Sequence, residues 1–216
     1  MKRSQVADRR FNMPRSIFAG DEVIHLYEMG DEDRLNYEGI PYNDDTSEGR
    51  YQSYPQDLKD ELWNRLLHGN NRMYSIYNGR DEYCGYIELL EPNSSTPEIG
   101  IEIVKEHRNK GIAKRAVYLM LCGTEAIEKK AYYIVRIIED NMHSRHVFEN
   151  IGAEFNNSNN TKYQKDINVC KALEAETTDE KLKNRMKEMI HEYEAEDKHI
   201  CEYRLYPDKL KGLFSV

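Results

Sequence analysis

Long apolar runs are missing from this 216-residue chain. The longest, Ala116 to Cys122, falls far short of the roughly 20 apolar residues that a membrane-spanning helix needs. Cysteine is scarce. Cys84, Cys122, Cys170 and Cys201 are scattered with no paired spacing, so no zinc or other metal site is expected and the residues read as buried free thiols of a reducing cytosol. Basic charge is in deficit: 31 Lys and Arg stand against 39 Asp and Glu, for a net charge of -8. That balance excludes general nucleic-acid binding, which needs a basic surface, and is compatible with a cationic amine as partner. No signal peptide is expected either. Residues 1–15 carry Lys2, Arg3, Arg9, Arg10 and Arg15 against Asp8, but no apolar stretch follows them. A cytoplasmic protein with no membrane contact is the expectation.

What the chain does contain is a regular alternation of strand and helix signals. With 39% hydrophobic and 32% charged residues it can build one core under a polar surface. Residues 21–28 read as a first strand and 30–55 as polar and turn-rich. Gln56 to His68 has Leu58, Leu62, Leu66 and Leu67 at helical spacing, stopped by Gly69-Asn70. Arg72 to Tyr77 and Tyr83 to Leu90 form a hairpin about Asn78-Gly79. Strands follow at Glu98–Val104 and 131–138, with a long helix over 109–130 between them. A short helix spans Asn141 to Asn150, and residues 153–165 give a strand broken at Asn156–Asn160. Residues 167–197 are helical, with a capping box at Thr177 and Glu180 and an apolar stripe of Leu182, Met186, Met189, Ile190 and Tyr193. That stripe packs on the domain body, covers a site or makes a dimer contact. Ile200 to Tyr206 closes the fold. The expected organisation is a basic arm over 1–19 and one domain over 20–216 with a helical insertion at 167–197.

Two motifs carry chemistry. Arg108-Asn109-Lys110-Gly111-Ile112-Ala113 is R-x-x-G-x-A at a strand-to-helix turn. Such a turn aims backbone N–H groups and a positive helix end at one point, a seat for a pyrophosphate, although a glycine there can also be a plain turn residue. Ile112-Ala113-Lys114 after the glycine rules out a Walker loop. The second motif is Asn141-x-x-Ser144-x-x-Val147-Phe148-Glu149-Asn150-x-Gly152.

Together with Cys84-Gly85-Tyr86 and Ile99-Gly100-Ile101, these motifs resemble the GNAT superfamily of acetyl-CoA-dependent N-acyltransferases, and within it the branch of ribosomal-protein N-terminal acetyltransferases. The resemblance covers residues 20–165 and a closing strand near 199–206. It implies an α/β (α+β) fold: a mixed, mostly antiparallel sheet of six to seven strands flanked by helices. It implies acetyl-CoA as acyl donor, transfer to a primary amine on a small molecule or a protein N-terminus, and no covalent enzyme intermediate. A homodimer is among the expected assemblies. An inactive acyl-CoA-binding sensor or assembly subunit is the alternative.

The resemblance also assigns residues. Arg108, Asn109, Lys110, Gly111, Ile112 and Ala113 would hold the pyrophosphate. Backbone groups of Ile103 and Val104 would bond the pantetheine arm in a gap between two splayed strands. Asn141 would bond the pantetheine amides, or cap its helix, or both. Glu98 and Glu102 share strand parity and are the candidate bases, with Glu139 a third; each can equally be a solvent-facing glutamate. Ser144 is the nearby hydroxyl, and Phe148 stands where many members carry a proton-donating tyrosine. His143 and His146 read as surface or substrate-side residues. Tyr42, Tyr51, Tyr54 and Trp63 are candidate lining for the acceptor.

Overall fold

A computed structural model describes residues 15–40, 55–161, 164–195 and 199–210. Its strands are β1 (Ile17–Gly20), β2 (Ile24–Glu28), β3 (Arg72–Asn78), β4 (Tyr83–Leu90), β5 (Glu98–Ile103), β6 (Tyr133–Ile138), β7 (Glu154–Thr161) and β8 (His199–Leu205). They form one sheet of eight strands in the order β1-β2-β3-β4-β5-β6-β8-β7, one or two more than expected. Every neighbouring pair is antiparallel except β5 and β6. The helices are α1 (Arg34–Glu38), α2 (Gln56–His68), α3 (Ile112–Ile127), α4 (Met142–Asn150), α5 (Gln164–Glu176) and α6 (Glu180–Ala195). The expected mixed, mostly antiparallel sheet flanked by helices is what forms.

Strand alternation sorts the side chains onto two faces. Ile24, Leu26, Tyr74, Ile76, Ile87, Leu89, Ile99, Ile103, Tyr133, Val135, Tyr203 and Leu205 pack with Ile112, Ala116, Val117 and Met120 of α3 and Phe148 of α4 in the main core. On the opposite face Met29, Met73 and Tyr86 pack with Ile40 and Trp63, and Tyr37, Leu66 and Leu67 add to that smaller core. Helices α1 and α2 therefore cover only the β2–β4 part of this second face.

The domain body starts earlier than the sequence suggested. β1 falls mostly inside the expected 1–19 arm and pairs with β2, and Phe18 stacks on Tyr74 at 4.2 Å. The Arg15 guanidinium lies 4.7 Å from the Tyr27 ring and 4.8 Å from the Tyr77 ring, and it bonds Asp33, whose carboxylate is fully buried. Tyr77 Oη and the Gly30 N–H donate to the same carboxylate at 2.8 Å and 3.1 Å. A buried charge is tolerable when so paired and bonded. Residues 1–14, and with them the rest of the expected arm, lie outside the described residues, as do Tyr42, Tyr51 and Tyr54.

Other departures have local causes. In the β3–β4 turn it is Asp81, at φ 62°, that takes the left-handed conformation, while Asn78 Oδ1 accepts from the N–H groups of Arg80 and Glu82. Asn78 thus shapes the turn through its side chain and not through an Asn-Gly pair. Strand β7 continues through the asparagines and absorbs them as register shifts at the sheet edge, where bulges are common. The expected insertion region holds a pair of helices, with α6 packed on α5 and ion pairs Lys171–Glu194 at 3.5 Å and Lys187–Glu174 at 3.9 Å between them. Met186 of the stripe is buried, while Leu182 is 40% exposed. The start of α6 is capped by Asp179, whose Oδ1 accepts from Lys181 N–H at 2.9 Å, in place of the expected Thr177–Glu180 box.

Candidate active site

β5 and β6 share a single bridge, Glu98 with Ile134, where Ile134 N–H donates to Pro97 O at 2.9 Å. Beyond it the two strands part. Ladder parity then decides which backbone groups face the opening. Val104 N–H donates to Cys84 O at 2.9 Å, so Val104, Glu102 and Gly100 turn their backbone groups toward β4. Ile101 and Ile103 turn theirs toward the gap. Val104, whose backbone was expected to face the gap together with that of Ile103, therefore faces β4, and the gap is lined by the backbone groups of Ile101 and Ile103. Ile103 O is engaged, because it accepts from Arg108 Nε at 2.8 Å.

At the end of β5 the chain makes a short 3-10 turn, Lys105–His107, and reaches Gly111. Asn109 at φ 61° and Gly111 at φ 74° are both left-handed, and Gly111 is the N-cap of α3. No side chain caps that helix, so the N–H groups of its first turn stay available. A Cβ built on Gly111 meets nothing within 4 Å. Open space, unclaimed amides and the positive end of a helix coincide there, which is the chemistry that receives a diphosphate.

Two adjoining cavities line this path. One of about 300 Å³ is bounded by Ile101, Glu102, Ile103, Arg108, Asn109 and Ala113 on one side and by Asn141, His143, Ser144, Val147 and Phe148 of the α4 region on the other. The next, of about 390 Å³, is bounded by His107, Gly111, Ile112 and Lys114 opposite His143, His146 and Asn150. The structure therefore brings together Glu102, Ile103, Arg108, Asn109, Gly111, Ile112, Ala113, Asn141, Ser144 and Phe148. Lys110 lies in the same turn. Asn141 Oδ1 accepts from Ser144 N–H at 3.1 Å, so it does cap α4. Phe148 is 3% exposed and belongs to the core as well as to the wall. Arg145 seats α4 by donating to Tyr203 Oη at 2.9 Å and to Glu139 O at 3.0 Å.

The two candidate bases separate. Glu102 lines the cavity and accepts from Arg108 at 2.8 Å. Glu98 sits at the far end of β5, four residues and about 13 Å of strand away, and lines neither cavity. It is bound by Arg136, which also reaches Glu202 at 3.2 Å, and Asn156 Nδ2 donates to Glu202 at 2.9 Å. Glu98 thus belongs to a network tying β5, β6, β8 and β7. Glu139 is outside both cavities. The parity expected for Glu98, Gly100 and Glu102 holds, since β4 and β5 pair without a register shift.

Sequence reasoning passed over Glu88. It pairs with Gly100 across the ladder, and its side chain lies over Gly100, where a Cβ would come within 2.4 Å of Oε1. Glu98, Glu88 and Glu102 thus form a row on the second face. Tyr86, opposite Glu102, borders it, with Tyr37 5.1 Å from Tyr86 and Trp63 5.6 Å from Tyr37. Trp63 itself is 2% exposed and donates to Asp31 at 2.8 Å, so it packs behind this wall. The signal for Glu88 was its parity with Tyr86 opposite Gly100, which shows only once the register is known.

The family model for the GNAT acetyltransferase domain matches residues 17–154, and the chain belongs to that family. Spermidine N-acetyltransferase from Vibrio cholerae, in complex with CoA and spermine, is similar in fold at a TM-score of 0.59 and 16% identity, over 87% of this chain and 97% of that one. The dodecameric structure of the Vibrio cholerae enzyme in an intermediate state is similar at a TM-score of 0.55 and 14% identity, over 89% and 98%. No curated protein matches the chain in sequence. The protein is an acetyl-CoA-dependent N-acetyltransferase with an amine acceptor. The strand gap, the uncapped helix and the open space at Gly111 fit that donor. Among the described residues no helix is long and apolar enough to cross a membrane, and no group of His, Cys, Asp and Glu could hold a metal ion.

Proposed function

We propose that the acceptor is a small di- or polyamine. The observation that carries this reading is the row of Glu98, Glu88 and Glu102 beside Tyr86 and Tyr37. Carboxylates in a row across two paired strands suit several ammonium groups on one flexible chain, and tyrosine rings suit the methylenes and the charge between them. The likeness to an enzyme whose complex holds spermine supports the same class. The net charge of -8 favours capture of a cation.

Residue roles follow. Acetyl-CoA supplies a thioester. The N–H groups of Ile101 and Ile103 bond the carbonyl oxygen on which negative charge collects during attack. Asn109, Lys110, Gly111, Ile112 and Ala113 hold the diphosphate through backbone amides, and Asn141 bonds the pantetheine arm. Arg108 serves indirectly, since its side chain fixes Ile103 O and Glu102. An alkyl ammonium of pKa about 10.4 is neutral in only about one part in a thousand at pH 7.4. It therefore needs a proton acceptor, and Glu102 at the cavity wall is that base. Ser144 Oγ donates a hydrogen bond to the leaving thiolate, which takes its proton from water. Glu98 contributes charge to the acceptor row and order to the sheet.

A protein α-amine, as in the ribosomal-protein branch, is the second reading. Phe148 in place of a hydroxyl donor favours it, because an α-amine is neutral in roughly a quarter of molecules and asks less of acid–base groups. A CoA-release assay over spermidine, putrescine and peptides with free N-termini decides. Turnover of spermidine whose KM rises at least tenfold in Glu88→Gln supports the polyamine reading, and turnover of peptides alone overturns it. A homodimer and a cytoplasmic setting complete the proposal. The free Cys84, Cys122, Cys170 and Cys201 agree with that setting.

A further inference from the structure

Three imidazoles ring the cavity that adjoins the start of α3. His107 comes from the 3-10 turn after β5, and His143 and His146 lie one turn apart on α4. Spacing of three puts the last two on one helix face. Gly111, Ile112, Ala113 and Lys114 form the opposite wall. The backbone amides answer the diphosphate. They do not account for a histidine from each of two elements converging on the same 390 Å³ space, with no metal-holding group among the described residues.

We propose that His107, His143 and His146 form a protonation-dependent site for the 3′-phosphomonoester of coenzyme A, so that donor affinity rises as these imidazoles become charged. The inference rests on the acetyl-CoA reading and deepens it. CoA carries a phosphomonoester dianion in addition to its diphosphate, and dephospho-CoA lacks it. Neutral imidazole can donate one hydrogen bond to such an anion. Imidazolium donates from both nitrogens and adds a positive charge.

Charged groups pack around the cavity from several elements. On the β5 side, Glu102 is engaged by Arg108. On α4, Glu149 accepts from Tyr203 Oη at 2.8 Å and Arg145 is bound to Tyr203. On α3, Arg115 pairs with Asp21 at 2.6 Å, and Lys114 lines the cavity. Glu82 in the β3–β4 turn feels both His107 and Lys110, and Glu106 is an exposed neighbour of His107. The cavity is thus cationic on its helix wall and becomes more so as pH falls.

The pH window is set by two titrations. Histidine gains its proton around pH 6.5, and a phosphomonoester loses its second charge near pH 6. Attraction grows from pH 8 to about 6.5 and then levels off. Calorimetry of acetyl-CoA and acetyl-dephospho-CoA at pH 8.0 and 6.5 reads this without turnover, so the amine's own titration plays no part. For the unaltered protein, acetyl-CoA should bind about fivefold more tightly at pH 6.5, and the dephospho form should change less than about twofold. His143→Gln/His146→Gln, two exposed positions whose change spares the core, should lose most of the acetyl-CoA difference at either pH's ionic strength. Equal pH dependence for the two donors, or an undiminished dependence in the double variant, overturns the inference while the donor reading stands. Absence of acetyl-CoA binding at both pH values overturns both.

Discussion

The Val104 N–H donates to Cys84 O at 2.9 Å, across from Gly85, whose φ of 141° opens the strand there. That contact fixes which amides of β5 face the gap. It also makes Gly85 a control point, since a Cβ at this position would lie 2.0 Å from Glu102 O. Gly85→Ala must push back the backbone of the reactive strand. The expected loss is about 2–4 kcal/mol of stability, together with most of the activity. Urea unfolding and CoA release check it, and a variant of unchanged stability would refute the account of the gap.

Gly111→Val tests the phosphate turn. The native φ of 74° strains any side chain by about 1–2 kcal/mol, yet a Cβ at this position meets no protein atom within 4 Å. The fold should survive with a Tm lowered by a few degrees. The added methyls would occupy the space meant for the diphosphate, and the acetyl-CoA Kd should rise by about 30-fold or more. Unchanged affinity by calorimetry would remove the assignment.

Much of this was legible in the chain because local signals and tertiary demands agreed. Gln56–His68 is set by leucine spacing, and Asn141 caps α4 as asparagine does in isolation. The phosphate turn is local too, since Gly111 needs only its own backbone geometry. What stayed hidden depends on register. Val104 and Ile101 differ only in which neighbour their amides face, and no composition reports that. Glu98 and Glu102 look equivalent in sequence, but Arg136, 38 residues beyond Glu98, captures one of them. Asp33 reads as a surface acid until Arg15, Tyr77 and Gly30 close over it.

That capture separates two carboxylates experimentally. Glu102→Gln should lower kcat/KM for an alkyl amine by about 10²-fold or more, as expected for loss of a general base, with stability little changed. Arg136→Ala should do the reverse. It leaves Glu202, which is 9% exposed, without its cation. Breaking a buried pair costs about 3–5 kcal/mol, and the partial exposure of Arg136 reduces the expectation to roughly 2 kcal/mol. Chemical denaturation and steady-state kinetics on both variants decide. A kinetic defect in Arg136→Ala at full stability would place Glu98 in the chemistry after all.

Acid sensitivity has a defined contributor at the β1–β2 turn. Burial raises the Asp21 carboxyl, but the N–H of Ile24 at 2.9 Å, Arg115 at 2.6 Å and the N–H of Val23 at 2.8 Å outweigh it, and the group titrates below the ordinary range. A depressed carboxyl contributes stability above its unfolded value, near 3.9, and loses it as pH falls through the lower folded value. Asp21→Asn removes the charge that holds Arg115 and so loosens α3 from the sheet edge. At pH 7 the variant should melt about 2–4 °C below the unaltered protein. As pH falls below about 4 the unfolded chain takes up this proton first, and the advantage is gone once pH has passed the lower native value. The two unfolding curves should then converge. A gap that stays constant from pH 7 to pH 3 would show that the turn is held by its hydrogen-bond geometry and not by the carboxylate's charge.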